Sequence, residues 1–187
     1  MKNIILILLA CLSMTACKKE EISLSADSIY NLPSKWENQD GNKMHLADLK
    51  GKTVVMVMIY TSCKTACPRL TIKMREIENK IGSYDPNDIR FVLVSIDPEV
   101  DTPKKMKEYL ANNKFGGQQW LFLRSDEEHT RELANALAVK YKQITPVEFS
   151  HSNIITVFSK NGEMAFQKEG LDIDVDATVS EIKKQLD

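Results

Sequence analysis

Cysteine is scarce in this chain. Its 187 residues hold four, Cys11, Cys17, Cys63 and Cys67. So few thiols cannot build the disulfide framework of a small secreted domain. Basic residues are not in excess either: 25 Lys and Arg face 26 Asp and Glu, for a net charge of −1. That balance, with no basic stripe, argues against a nucleic-acid partner. A long apolar run is also missing. The stretch 4–12 is too short for a typical membrane-spanning helix, which needs roughly 20 residues. No internal repeat and no low-complexity tract interrupts the chain. What remains is long enough for one domain with a real core.

The start of the chain reads as an export signal. Lys2 precedes the apolar stretch 4–12, and Met14-Thr15-Ala16 leads into Cys17, which is the pattern of a cleavable leader. Met14-Thr15-Ala16-Cys17 resembles a bacterial lipobox, with Met where Leu is commoner. It implies cleavage before Cys17 and a lipid on the Cys17 sulfur; a plain signal peptide with an incidental cysteine is the alternative. The expected organisation is a lipoprotein signal peptide over 1–16, a polar tether over 17–27, and one domain over 28–187. The expected location is the extracytoplasmic face of a bacterial cell envelope, lipid-anchored to the membrane. Cys11 leaves with the leader. Outside the cytoplasm a close thiol pair tends to oxidise, so Cys63 and Cys67 point to redox or metal chemistry rather than stapling.

Periodicity predicts alternating strands and helices. Segments 29–32 and 35–37 read as extended, 39–42 as a turn, 43–45 as the second arm of a hairpin and 46–49 as a helical turn. The run 53–60 is apolar almost throughout, as a strand buried on both faces should be. A helix follows from about Pro68 to Ile81, with Leu70, Met74, Ile77 and Ile81 on one face. Proline suits the first turn of a helix, where its missing N–H costs nothing. Segment 89–96 is a second buried strand, and Asp101-Thr102-Pro103 opens a helix with a capping residue. A short strand over 120–123 precedes a helix from the capping box at Ser125 to Val139. A strand over 154–158, a turn at 160–162, its partner over 163–167 and a final amphipathic helix complete the chain. The order matches a thioredoxin-like α/β fold: a central mixed sheet flanked by helices, with an added N-terminal β-hairpin.

In that plan Cys63 and Cys67 fall where the first core strand turns into a helix. Unpaired N–H groups and the positive end of the helix dipole stabilise an anion there. A thiolate so placed should ionise below the free value of about 8.5, and Lys64 adds positive charge between the pair. Thioredoxin-type oxidoreductases separate their cysteines by two residues; here Lys64-Thr65-Ala66 intervene. The wider loop still permits a disulfide. It also lets both sulfurs turn to one point, a soft donor pair suited to Cu(I), with Zn as a competitor. His151 precedes the strand 154–158, in the loop that passes the cysteine turn in this plan. It can reach the sulfurs; the alternative is a hydrogen-bonded loop histidine. His45 and His129 read as solvated or structural, and Met56 and Met58 as core.

Three stretches, Tyr60–Pro68, Val94–Pro103 and His151-Ser152, taken in this order, resemble the Sco (SenC-type) copper proteins. The resemblance implies a thioredoxin-like fold that binds one copper ion, Cu(I) or Cu(II), through Cys63, Cys67 and His151. It implies an extracytoplasmic metallochaperone that delivers copper to the dinuclear copper site of cytochrome c oxidase subunit II, or to another copper-dependent protein. It also implies that Cys63 and Cys67 form a redox-active pair able to reduce the acceptor's cysteines. A metal-independent thiol-disulfide oxidoreductase or redox sensor is the rival expectation. Two departures stand out: Lys64-Thr65-Ala66 replaces the usual Pro-Asp-Val, and Ser150 stands where Asp often precedes the histidine. Asp97 is a candidate substitute for that carboxylate, or a turn residue before Pro98.

Overall fold

Strand β3 (Thr53–Ile59) is the axis of the molecule, and all seven of its residues are buried. A strand hidden on both faces has neighbours on both sides and layers above and below. The computed structural model, which describes residues 24–186, supplies them. Strand β4 (Ile89–Ser95) pairs with β3 in parallel, Val55 opposite Phe91. On the other side β8 (Ile154–Phe158) runs antiparallel, with Val57 opposite Ile155. Strands β1 (Lys35–Asn38), β2 (Lys43–His45), β5 (Trp120–Arg124) and β9 (Met164–Glu169) complete a seven-stranded mixed sheet of order β2-β1-β5-β4-β3-β8-β9. The added N-terminal hairpin thus extends one edge, through antiparallel pairing of β1 with β5.

Among the described residues, four α-helices flank the sheet. Helix α1 (Ala66–Ile81) buries Cys67, Leu70, Met74, Ile77 and Ile81, three to four residues apart, the spacing of a helix with one apolar face. It packs beside α4 (Val175–Leu186). In α2 (Pro103–Asn112), Thr102 accepts the Lys105 N–H and Pro103 takes the first helical position. In α3 (Glu127–Ala136), Asp126 accepts from the His129 N–H.

The chain enters the domain at the pole opposite the cysteines. The Ser28 hydroxyl donates to the Asn161 carbonyl at 2.5 Å, and the Ile29 N–H donates to the Gly162 carbonyl at 3.0 Å. The turn at Gly162 follows β8, whose last residue lies beside the first residues of β3. Gly162 has φ +77°, and a β-carbon there would sit 2.7 Å from the Ser28 hydroxyl.

The structure departs from the sequence expectations in four places. Residues Ile29–Asn31 form a 3₁₀ turn, not a strand, because the Ser28 side chain accepts the Tyr30 N–H and closes it locally. Helix α1 begins at Ala66, so Pro68 is its third residue. Helix α3 is capped by Asp126 rather than Ser125, whose hydroxyl donates to the Lys35 carbonyl instead, and it stops at Ala136 rather than Val139, where Ala138 takes a positive φ of 53°. Segment 141–151 is not an open loop but a separate hairpin, β6 (Tyr141–Thr145) and β7 (Glu148–His151). Its strands are mostly exposed, with Ile144 and Val147 at its tip, so it lacks the apolar alternation that marks a half-buried strand. The expected signal peptide, Cys17 and residues 17–23 lie outside the described residues.

Phe91 is fully buried and stacks on Trp120, with ring centroids 4.9 Å apart. Phe91→Ala should cost about 3–5 kcal/mol of stability. Denaturant unfolding that finds less than about 1 kcal/mol would contradict this placement of the core.

Candidate metal centre

Two chain segments build the site. One is the turn between β3 and α1, where the Cys63 N–H donates to the Tyr60 carbonyl at 3.3 Å. Cys63 stays outside the helix, while Cys67 is its second residue. The Cys67 N–H, one of the donors at a helix start that has no partner within the helix, points to the Cys63 sulfur at 3.4 Å.

The other segment is the end of β7. His151 faces Tyr141 across the small hairpin, and the chain then passes into β8. The antiparallel register of β3 and β8 brings the residues before β8 beside those after β3. The His151 Nε2 lies 3.4 Å from the Cys67 sulfur. Its Nδ1 lies 2.9 Å from the Ser152 carbonyl oxygen. A carbonyl only accepts, so Nδ1 carries the proton and Nε2 presents its lone pair to the sulfurs. The donor atoms of Cys63, Cys67 and His151 all lie within 4.8 Å of one another, and no other such cluster of Cys, His, Asp or Glu occurs among the described residues.

The two thiols differ. Burial opposes ionisation of Cys63, but hydrogen bonding at its sulfur, led by the Cys67 N–H at 3.4 Å, brings its pKa down to about 7. Burial pushes Cys67 well up, and the neighbouring Cys63 pushes it further. Burial also holds His151 below its ordinary value, against a smaller opposing effect of the Ser152 carbonyl. Near neutral pH the metal-free site therefore offers one ready thiolate, one protonated thiol and one neutral imidazole.

Asp101 supports this arrangement, a role the sequence did not single out; the helix cap beside it is Thr102, with Pro103 at the first helical position, as the sequence predicts. The Asp101 side chain is fully buried and accepts from the Thr61 hydroxyl at 2.5 Å, the Thr61 N–H at 3.2 Å and the Ser95 hydroxyl at 2.6 Å. It thus ties the cysteine turn to the end of β4. A carboxylate this deep needs such donors, and burial still raises its pKa. Its signal in the sequence was Ser95 and Thr61, hydroxyl residues at the ends of two buried strands.

Asp97 is not brought to the cluster: its side chain lines a groove with Pro98, Glu99, Tyr141 and Phe149. Its backbone N–H donates to the Ser95 hydroxyl at 3.0 Å, a turn role. Ser150 is exposed and pairs with Lys142. His45 caps a 3₁₀ turn with Asp48, and His129 bonds Asp126 at the start of α3. Met56 and Met58 are buried in β3.

In reduced, metal-free protein, iodoacetamide should modify Cys63 well before Cys67. Thiolate is the reactive form, so the Cys63 rate should rise with pH and reach half its plateau near pH 7. Mass spectrometry of a time course checks this; equal labelling of both cysteines would contradict it.

A thioredoxin-like sheet with two thiols and an imidazole converging at the end of its central strand defines the class of this protein. A family model described as SCO1/SenC matches residues 27–187, and the chain belongs to that family. It is 36% identical over 91 residues to the SCO1 protein homolog of Bacillus subtilis, a match covering 49% of this chain and 47% of that protein. The chain thus spans about half the length of that relative. The solved structure of BsSco, described as a Sco-family cytochrome c oxidase assembly protein with a disulfide switch, is 26% identical with a TM-score of 0.72. That match covers 83% of this chain and 93% of BsSco. Arabidopsis thaliana ScoI with copper bound shares the fold at 24% identity and a TM-score of 0.71, over 81% of this chain and 96% of that one.

Proposed function

We propose that this chain is an extracytoplasmic copper carrier that takes one ion on the Cys63 and Cys67 sulfurs and the His151 Nε2. The observation that carries this reading is the mutual approach of those three donor atoms to within 4.8 Å. Two thiolates and a neutral imidazole form a soft donor set suited to Cu(I). The hydrogen bond from Nδ1 to Ser152 holds the ring in the tautomer a ligand needs. With two thiolates, Cu(I) leaves one net negative charge, which the exposed Lys64 in the same turn would ease.

Copper is cargo in this reading. Cys67 is sealed, Cys63 is 9% exposed, and His151 is half-buried. An acceptor's thiol or imidazole can therefore approach from the Cys63 and His151 side and replace ligands stepwise. The acceptor is the dinuclear copper site of cytochrome c oxidase subunit II, or another copper-dependent protein. Membership of the SCO1/SenC family and the assembly role described for BsSco support this choice.

The unequal thiols support a second use of the same site. In the metal-free protein, the Cys63 thiolate attacks an acceptor disulfide and forms a mixed disulfide, releasing one acceptor thiolate. Cys67 then loses its proton and attacks the Cys63 sulfur, which releases the second acceptor thiolate. The acceptor gains two electrons, and Cys63 and Cys67 become a disulfide. A lipid on Cys17 would hold the protein at the membrane. Residues 28–29 join the domain at the pole away from the cysteines, so this anchor would leave the site facing outward.

Cu(I) titration of the reduced protein against a competing chelator should give one tightly bound ion per chain. Cys63→Ser, Cys67→Ser and His151→Ala should each weaken binding at least about tenfold. Wild-type stoichiometry and affinity in these variants would overturn the ligand set. Weak binding by the wild type, with insulin disulfides still reduced, would favour a metal-independent thiol reductase.

A further inference from the structure

A groove opens beside the candidate metal centre, and none of the three donor residues lines it. Its volume of about 380 Å³ falls within the range of clefts that take ligands, roughly 300–1,000 Å³. Ile96, Tyr141 and Phe149 give it apolar surface. Asp97, Glu99, Asp126 and Glu127 bring four carboxylates to it, against the one guanidinium of Arg131. That guanidinium is already engaged. It pairs with Glu127 at 3.4 Å, donates to the Tyr141 carbonyl at 3.1 Å and lies 3.9 Å from the centre of the Tyr141 ring. Asp126 is engaged too, by the His129 N–H and ring. Asp97 and Glu99 are not. Among the described residues, no side chain pairs with either carboxylate by hydrogen bond or ion pair. Asp97 is only 7% exposed, and a carboxylate so deep calls for an opposite charge. Burial and the Asp101 charge hold its pKa above the usual carboxylate range, and the opposing pull of Lys105 is weaker than either.

The groove shares a wall with the metal centre. Phe149 and His151 lie two apart on β7 and so belong to one face of that strand. The Phe149 ring packs on Tyr60 with centroids 5.2 Å apart, and Tyr60 meets the His151 ring edge-on at 5.9 Å. Whatever rests on Phe149 is therefore one aromatic ring from the imidazole. Resting on the copper reading above, we propose that this groove docks a cationic segment of the protein that exchanges copper with the site, an extended stretch in which Lys or Arg alternates with apolar residues. The basic side chains meet Asp97 and Glu99, and the apolar ones pack on Tyr141 and Phe149. Three carboxylates in excess fix the sign of the partner, because they attract a cation and repel an acidic surface. The lining fixes its pattern. Asp97 and Glu99 come from the connection between β4 and α2, and the aromatic rings from the hairpin; an extended segment presents successive side chains to opposite sides and so serves both. Docking here brings the partner's thiols or imidazoles over Cys63 and His151.

Two synthetic acceptors test this. Both are short peptides ending in the same pair of cysteines; one has a tail of alternating lysine and valine, the other of alternating glutamate and valine. Two quantities are measured: the rate at which each peptide takes Cu(I) from the loaded protein, and the backbone amide shifts each causes in reduced, metal-free protein. In low salt the lysine peptide should take copper about tenfold faster than the glutamate peptide. That advantage should vanish in 1 M salt, where charges are screened within about 3 Å. Its amide shifts should centre on 96–99, 126–127 and 141–149. Glu99→Lys changes an exposed side chain and should abolish the advantage while leaving Cu(I) affinity at the wild-type value. Glu163→Lys makes the same change of charge on an exposed residue at the opposite pole and should keep the advantage. Equal rates for the two peptides, a faster glutamate peptide, or equal losses in both variants overturn the docking proposal. Wild-type protein that binds no copper overturns the copper reading instead, and the amide shifts then decide the docking proposal alone: shifts in the groove support it, and shifts elsewhere or none overturn it.

Discussion

Everything at this site depends on the antiparallel pairing of β3 with β8. Cys67 and His151 are 84 residues apart in the chain, yet their side chains meet at 3.4 Å. No local preference can bring them there. The register does, with Val54 opposite Phe158 and Val57 opposite Ile155. Followed past the end of the ladder, it carries the chain leaving β3 toward the chain about to enter β8. A slip of one residue would turn every buried side chain of β8 to the other face. All five residues of β8 are buried, so each register error would meet a packed layer. The hydrophobic core therefore sets the donor geometry.

Around that pairing the fold adds two ties. Asp101 binds the cysteine turn to the end of β4, through a carboxylate that accepts from three groups on two elements. Tyr60 binds the same turn to β7. Together they fix both sides of a site whose ligands come from a turn and a strand end. The helix start adds electrostatics. It places the Cys67 N–H on the Cys63 sulfur and so separates two chemically identical thiols into a ready nucleophile and a sealed, protonated partner.

Much of this was legible in the residues. The unbroken apolar run of β3, the amphipathic spacing of α1 and the cap and proline at α2 each follow from local rules, and so the sheet and the position of Cys63 and Cys67 were foreseeable. His151 was legible only through the fold, because a lone histidine before a strand has many explanations. The hairpin of β6 and β7 was not legible: its strands are short and mostly exposed, and its turn at Pro146 and Val147 has no glycine. Asp101 was not legible because its partners Thr61 and Ser95 lie apart in the chain, and only the tertiary structure brings them to its carboxylate. Asp97, which the sequence left open between a supporting carboxylate and a turn residue, takes the turn role and lines a groove beside Tyr141 and Phe149.

The central claim is that two sulfurs and one imidazole nitrogen hold one copper ion. Copper K-edge X-ray absorption of the Cu(I)-loaded protein tests it most directly. The expected result is two sulfur neighbours and one nitrogen neighbour in the wild type, with the nitrogen lost in His151→Ala and one sulfur lost in Cys63→Ser. A copper shell of oxygen and nitrogen alone, or one unchanged in both variants, would contradict it.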